Sequence, residues 1–417
     1  MKRSILRLAL AAGLLTAGWS FAQTNITFWH IFDSGDALEF INEVVADFNA
    51  ANPDIRVEHL GTNFWDYWTR LTTAMAAGTG PDVALNDLGN VPSRASAGII
   101  LDLTGPMAAT GSSLDPYWSA THSALQYEGG VYALPFETDV RALYYNKDHF
   151  AEAGLDGPPA NWEELSEYAD ALTVTAANGR LERVGFNPNI GNLGFYTLAW
   201  TNGAEFVDAD GNLVLNAPKT VEALEFMVDL VNRYGQREMS AFAATFGSGA
   251  TDPFMAGQVS MIAQNNTFGA QIRRFAPDIN FGVAPLPHND SPASWSNGFS
   301  IEIAASTPNP DAAWRFMEYI MSAEVQAEYA KRNGSMVGNE AAATDPELMS
   351  DEVWAAMVEQ MAVSRFRPFV LEAPTWYDTA LQPEVDAALL GRKSPQQALD
   401  DAQAALEAEI ARFKQTQ

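Results

Sequence analysis

The chain has 417 residues, with 52 acids against 24 bases, no cysteine and about 47% hydrophobic content. That much apolar material fills more than one core, so the length predicts two or three domains. A net charge of −28 repels nucleic acid and anionic lipid, and a chain without cysteine has no disulfide, thiol nucleophile, cysteine-ligated zinc or lipidated cysteine anchor.

The first segment reads as a leader. Lys2, Arg3 and Arg7 introduce about 15 mostly apolar residues that close on Ser20-Phe21-Ala22, small residues standing where a signal peptidase reads. A cleaved signal peptide over 1–22 is expected, with an exported, periplasmic or extracytoplasmic product that carries no lipid anchor. The run is short for a membrane span, and no other run approaches the ~20 residues one requires.

Two strand–helix–strand units follow. "NITFWHIF" alternates like a half-buried strand, and Leu38, Ile41, Val44, Val45 and Phe48 recur at helical spacing behind Asp36 as N-cap with Glu39 three residues on. "DIRVEHL", "FWDYWTRLTTAMAAG" and "PDVALND" then read as strand, helix and strand. Together they predict a parallel sheet with helices on both faces and right-handed crossovers.

After short helices around 91–97 and 117–125, "QYEGGVYALP" predicts a hairpin with Gly129-Gly130 at its tip. A second α/β series runs from about 141 to 283: "NWEELSEYADALT" (helix), "RVGFNPN" (strand), "VDADGNLVLN" (hairpin), "PKTVEALEFMVDLVNRYG" (helix), then "GQVSMIA" and "INFGVAPLP" (strands). The remainder offers the strand "NGFSIEIAAS", a long helix over 309–333 and a final acidic helix from Ser394. These do not amount to a third sheet. They must pack on the two already built, so the lobes are discontinuous and the chain crosses between them more than once.

Enzyme signatures are missing: there is no GxSxG elbow, HExxH helix, phosphate loop or GxGxxG turn. The five histidines have no ligand spacing, and "VDADGN" has Lys219 where a calcium loop needs its bidentate Glu. No metal or cofactor is expected. The segment "FETDVR" inside 129–150 puts Glu137, Asp139 and Arg141 on one face of an extended chain. Aromatic residues near loops and element ends, Trp29, Phe32, Trp200, Phe268, Trp295, Trp376 and Tyr377, could face a cleft. Such rings stack on the C–H face of a sugar while Asp, Asn and Arg pair with its hydroxyls.

The mature chain resembles, nearly end to end, the family 1 extracellular solute-binding proteins, the maltose-binding-like receptors of ABC importers. The resemblance rests on the order and spacing of "FNAANPDIRVE", "AMAAGTGPDV", "VYALPFETDVRALYYNKDHFAEAGL", "NWEEL", "FMAGQVSMI", "PDAAWRFMEYIMSAEVQAEY" and "GRKSPQQALDDAQ". It implies a periplasmic-binding-protein-like (type II) α/β fold: two lobes, 23–136 with 287–338 and 137–286 with 339–417, joined by hinge segments around a ligand cleft. It further implies a monomer that is no enzyme and delivers a carbohydrate to a membrane permease.

On this likeness "FETDVR" is the first hinge crossing, with others near 283–287 and 335–345. Carried over by position, Asp139 and Asp33 match hydroxyl-binding acids, Trp376 with Tyr377 a stacking ring, and Phe268 a position the relatives fill with Trp. Asn86, beside Asp87, stands where maltodextrin binders have an aromatic ring, a departure from a maltodextrin ligand. Trp295, Asn297 and Gly298 would reach the cleft lip. Asn63, Phe64, Tyr196 and Trp200 align more loosely. Glycerol 3-phosphate or another anionic polyol is the rival ligand, with Arg141, Arg365 and Arg367 as forked phosphate partners. A secreted glycosidase, built on Glu137 and Asp139, is the alternative from another class.

Overall fold

The structure, a computed structural model, describes residues 23–416, so the expected signal peptide lies outside the described residues. Among these, no helix is long and apolar enough to cross a membrane.

Strands β1 (Thr24–His30), β2 (Ile55–Gly61) and β3 (Val83–Asp87) are parallel, with β1 in the middle. Ile26, Phe28 and His30 alternate into the interior of β1. Helix Gly35–Ala51 buries Phe40, Ile41, Val44, Val45 and Phe48 along one stripe. Its N-cap is Ser34 instead of Asp36; Asp36 falls in the first turn, where its charge meets the positive end of the helix dipole.

In the hairpin of β4 (Gln126–Tyr127) and β5 (Gly130–Val131) the positive φ angles fall on Glu128 and Gly129, one residue earlier than expected. Next comes β6, unbroken from Leu134 to Asn146. A small ladder, β7 (Val174–Thr175) and β8 (Leu181–Arg183), carries only the start of the expected "RVGFNPN" strand. After it, Val184 makes a single bridge to Val259. Strands β9 (Met261–Asn265) and β10 (Phe281–Ala284) run antiparallel to the second half of β6.

Strand β11 (Ser294–Ile303) joins the two halves. It lies antiparallel to the first half of β6 and to β3, and β12 (Ser364–Arg365) pairs with its start. The sheet order is β10-β6-β11-β3-β1-β2, so β6 and β11 belong to both lobes. A third segment closes on them: Thr138 N donates to Met336 O at 2.8 Å, and Glu137 bridges Val337. Backbones approach closely here, since a Cβ on Gly298 would sit 2.1 Å from Glu137 O and one on Gly338 1.7 Å from Pro135 O.

The expected long helix is two, Pro310–Ile320 and Ala323–Asn333, because Ser322 between them is extended (ψ 149). One core gathers Phe28, Phe48, Phe316 and Tyr329; the other gathers Leu143, Trp162, Leu198, Leu224 and Leu399. The final helix, Pro395–Thr416, contributes Ala398, Leu399, Ala402 and Leu406 to the second.

Candidate ligand-binding cleft

Strands β1, β2 and β3 end at one edge of their sheet, and in open α/β sheets ligands bind beyond the carboxyl ends of the strands. Here the last residue of β3, Asp87, and the turn after it, Gly89 and Asn90, contribute to a cavity of about 160 Å³. The facing wall is the start of β11 (Trp295, Ser296, Asn297) and the loop 366–378, with Phe366, Arg367, Phe369, Trp376 and Tyr377.

The rings are arranged edge to face. Tyr196 lies 5.0 Å from Trp295 and 4.8 Å from Tyr377, each near perpendicular. The Arg367 guanidinium sits among the same rings, 4.7 Å from Tyr377, 5.5 Å from Tyr196 and 5.6 Å from Trp295, a cation–π environment. Burial pushes the Tyr377 phenol up to about 12, against the opposing pull of Arg367, so it is a neutral donor and acceptor at neutral pH. The Tyr196 phenol is raised further for the same reason.

The polar side centres on Asp139. Its carboxylate accepts from Arg141 and, at 2.8 Å, from the Asn297 backbone amide. Arg141 is 3% exposed and lies 3.5 Å from the Trp295 ring centre, so Asp139, Arg141 and Trp295 stack as one block. Asn297 Nδ2 donates to Asp87 at 3.3 Å. The buried Asn297 Oδ1 and Arg141 Nε have no partner among the described residues; Asn297 belongs to the cavity wall, whereas Arg141 does not line it.

Asp87, Trp295, Asn297, Trp376 and Tyr377 thus meet in the cavity wall, with Asp139, Arg141 and Gly298 immediately behind it. Four expected site residues do not join them. Phe268 is 3% exposed and packs on Tyr144 at 5.2 Å and Phe254 at 5.9 Å, because it begins a helix whose apolar face enters the core. Trp200 is 2% exposed, in the row behind Tyr196. Asn86 points into the interior, donating to Glu302 at 3.3 Å. Asp33 is exposed, partnered by Ser34 Oγ.

Arg365, one of the three expected phosphate partners, is committed to Glu205 at 2.7 Å. Phe366 and Phe369 of the loop "FRPFVLEAPTW", not among the expected site residues, also line the wall. Their signal was prolines and aromatics in a stretch with no helical or strand period. No cluster of His, Asp or Glu suited to a metal occurs among the described residues.

The Glu137 carboxylate lies at the crossing of the three connecting segments and accepts from Tyr329 Oη at 2.7 Å. Burial raises its pKa to about 7, opposed by the Tyr329 and Ser335 hydrogen bonds and reinforced by the charge of Asp139. Deeper in the first lobe His30 and His59 share a 2.9 Å hydrogen bond, and burial with the neighbouring ring lowers His30 to about 3. Both are therefore structural and neutral near pH 7.

Two α/β lobes on shared strands, with an aromatic and polar cavity at their junction, define a ligand-binding protein of the two-lobed kind. The chain belongs to the bacterial extracellular solute-binding proteins, whose family description matches residues 43–357. It is similar in structure to CpMnBP1 with bound mannotriose (27% identity, TM-score 0.77, 93% of this chain and 100% of that one). A cyclic alpha-maltosyl-1,6-maltose binding protein from Arthrobacter globiformis is likewise similar (26% identity, TM-score 0.78, 93% and 99%). In sequence it is 26% identical over 430 residues to the sn-glycerol-3-phosphate-binding periplasmic protein of Escherichia coli (strain K12), covering 94% of each chain.

Proposed function

We propose that this protein captures a carbohydrate between its lobes outside the cytoplasm and delivers it to the permease of an ABC importer. One observation carries the reading: the cavity sets Trp295, Trp376 and Tyr377 against Asp87 and the unpartnered Asn297 Oδ1. Rings facing hydrogen-bonding groups suit a ligand with apolar faces and a hydroxyl edge. The solved relatives named above, with their bound or named sugars, support the same class. The Asp139 and Glu137 carboxylates are each held by protein partners, Arg141 and Tyr329, which favours binding over glycosidase chemistry.

The cavity, about 160 Å³, is smaller than the ~300 Å³ at the low end of ligand pockets. In this reading the lobes part to admit the ligand and close over it, bending where β6, β11 and the segment around 337 run together. On the same reading the lobes are 23–136 with 287–338 and 137–286 with 339–417, and the bonds of His288 to Ala160 and of Asn289 to Thr201 support a second crossing that runs from about 287 into β11.

A second reading has a specific observation behind it. Arg367 lines the cavity with no carboxylate partner among the described residues, as an anionic polyol would require. A thermal-shift screen of ligand-stripped protein against mono- to oligosaccharides, glycerol 3-phosphate and short peptides separates the two. A ligand at a hundred times its Kd adds about 2.7 kcal/mol to native stability. A response to sugars alone supports the main reading, one to the phosphate alone the second, and one to neither refutes both. Unchanged dimensions in small-angle scattering on saturation would refute closure.

A further inference from the structure

We infer a second ligand site, outside the cleft: a cavity within the second lobe that takes a small organic cation, an ammonium group on an apolar body. The cavity encloses about 680 Å³, inside the size range of small-molecule sites. It shares no residue with the cavity at the lobe junction. All its lining residues fall within 187–264 and 386–390, so closure of the lobes is not needed to form it.

Strand β9 and three helices build its walls. Ile262 comes from β9, Val231 from the end of helix Pro218–Asn232, Met239 and Ala243 from helix Gln236–Ala243, and Leu389 from the end of helix Gln382–Leu389. Gly191 lies directly against β9: it bridges Ala263, and a Cβ there would meet Ala263 O at 2.5 Å. Apolar side chains remain open around this space. Val231, Met239 and Phe246 are only half-buried, and Leu390 is 50% exposed, so a ligand with an apolar body covers surface that the fold itself leaves in water.

The polar groups decide the sign of that ligand. No lysine or arginine lines the cavity, whereas Asp252 and Asp386 both do. Two amide donors of the wall are turned to the protein: Asn232 Nδ2 and Gln236 Nε2 donate to Leu389 O at 3.2 and 3.3 Å. An acceptor is left open. Asp252 Oδ1 takes the Phe254 and Met255 amides at 2.9 and 3.2 Å, which fixes the carboxylate, while its Oδ2 has no partner among the described residues. Burial raises the Asp252 carboxyl above its ordinary range against those two bonds, with no cation among the groups that act on it. A carboxylate drawn out of water without a counter-charge is stabilised by one that arrives with a ligand.

Ligand-observed NMR titrations of the mature protein with n-hexylamine, n-hexanol and hexanoate test the site, since the three probes share one apolar chain and differ in charge. Hexylamine should bind saturably, hexanol about tenfold more weakly, as the loss of one charge-assisted hydrogen bond requires, and hexanoate most weakly of all. Asp252→Asn keeps an oxygen for the Phe254 and Met255 amides and should bring the Kd of hexylamine to that of hexanol. Ala243→Trp, at an exposed position of the lining, should block the probes altogether; thermal midpoints equal to wild type show that both variants fold. No saturable binding of hexylamine, equal affinity for the three probes, or wild-type affinity in either variant overturns the site. None of the probes is a sugar, so failure here leaves the carbohydrate reading of the cleft intact.

Discussion

Glu137 offers a direct check on the electrostatics of the crossing point. Its folded pKa of about 7 against an ordinary 4.5 means that between these values the folded protein keeps a proton which the unfolded chain releases. Folded-state stability therefore falls as pH rises through that window and levels off above about 7. At 1.36 kcal/mol per pH unit the shift is worth on the order of 3 kcal/mol.

Glu137→Gln keeps an oxygen to accept from Tyr329 and removes the titration. The stability of the variant relative to wild type is expected to be close to zero at pH 4.5 and to rise to about 3 kcal/mol in favour of the variant at pH 8. Chemical unfolding of both ligand-free proteins at half-unit intervals from pH 4.5 to 8 measures this difference. The His30–His59 pair titrates in both proteins and cancels. A difference that stays flat with pH would refute the reasoning, because it would mean that the carboxylate is as well solvated folded as unfolded.

Three further outcomes follow from burial and contact. Trp376→Ala is expected to cost about 3–5 kcal/mol of stability as well as ligand affinity, because Trp376 is 2% exposed, packs 5.9 Å from Phe206 and donates Nε1 to Pro368 O; denaturant midpoints without ligand check it. Gly298→Ala introduces a side chain at φ +135 and 2.1 Å from a backbone oxygen. A loss on the order of 3 kcal/mol is expected in thermal unfolding, and a neutral result would show that the crossing strands can separate at no cost.

Arg94 is the ionic partner of Glu302, which is 1% exposed and also accepts from Ser300 at 2.7 Å. Arg94→Met should cost about 3–5 kcal/mol by stranding that charge. Arg94→Met with Glu302→Leu should recover most of it, again by denaturant unfolding.

Much of the architecture was legible in the pattern of residues. Period-two and period-3.6 runs marked β1 to β3, the helices between them and the final helix, since each buries one face and the spacing records which. The strand "NGFSIEIAAS", which needs an existing sheet to pair with, is β11 and lies between β6 and β3. Short-range chemistry was less legible: Asp36 is the expected N-cap of the first helix, yet the cap is Ser34, and the caps at Asn63 and Asn161 emerge only in the structure.

The site was legible only in part. Trp295, Asn297, Trp376 and Tyr377 come together from segments some 80 residues apart, and a ring near a loop reads alike whether it faces a cleft or a core. Phe268 and Trp200 went to the core for that reason, and Asn86 went inward to a carboxylate 216 positions away.

The sequence by itself determined the class of fold, the discontinuous lobes and the alternation of Glu137, Asp139 and Arg141, because periodicity and charge are properties of neighbours along the chain. Only the tertiary structure decided that β6 runs unbroken through the crossing, that His30 meets His59, and which rings share a wall with Arg367. Those facts depend on how strands far apart in sequence are brought into register, and register is set by the packing of whole faces, not by any single stretch of residues.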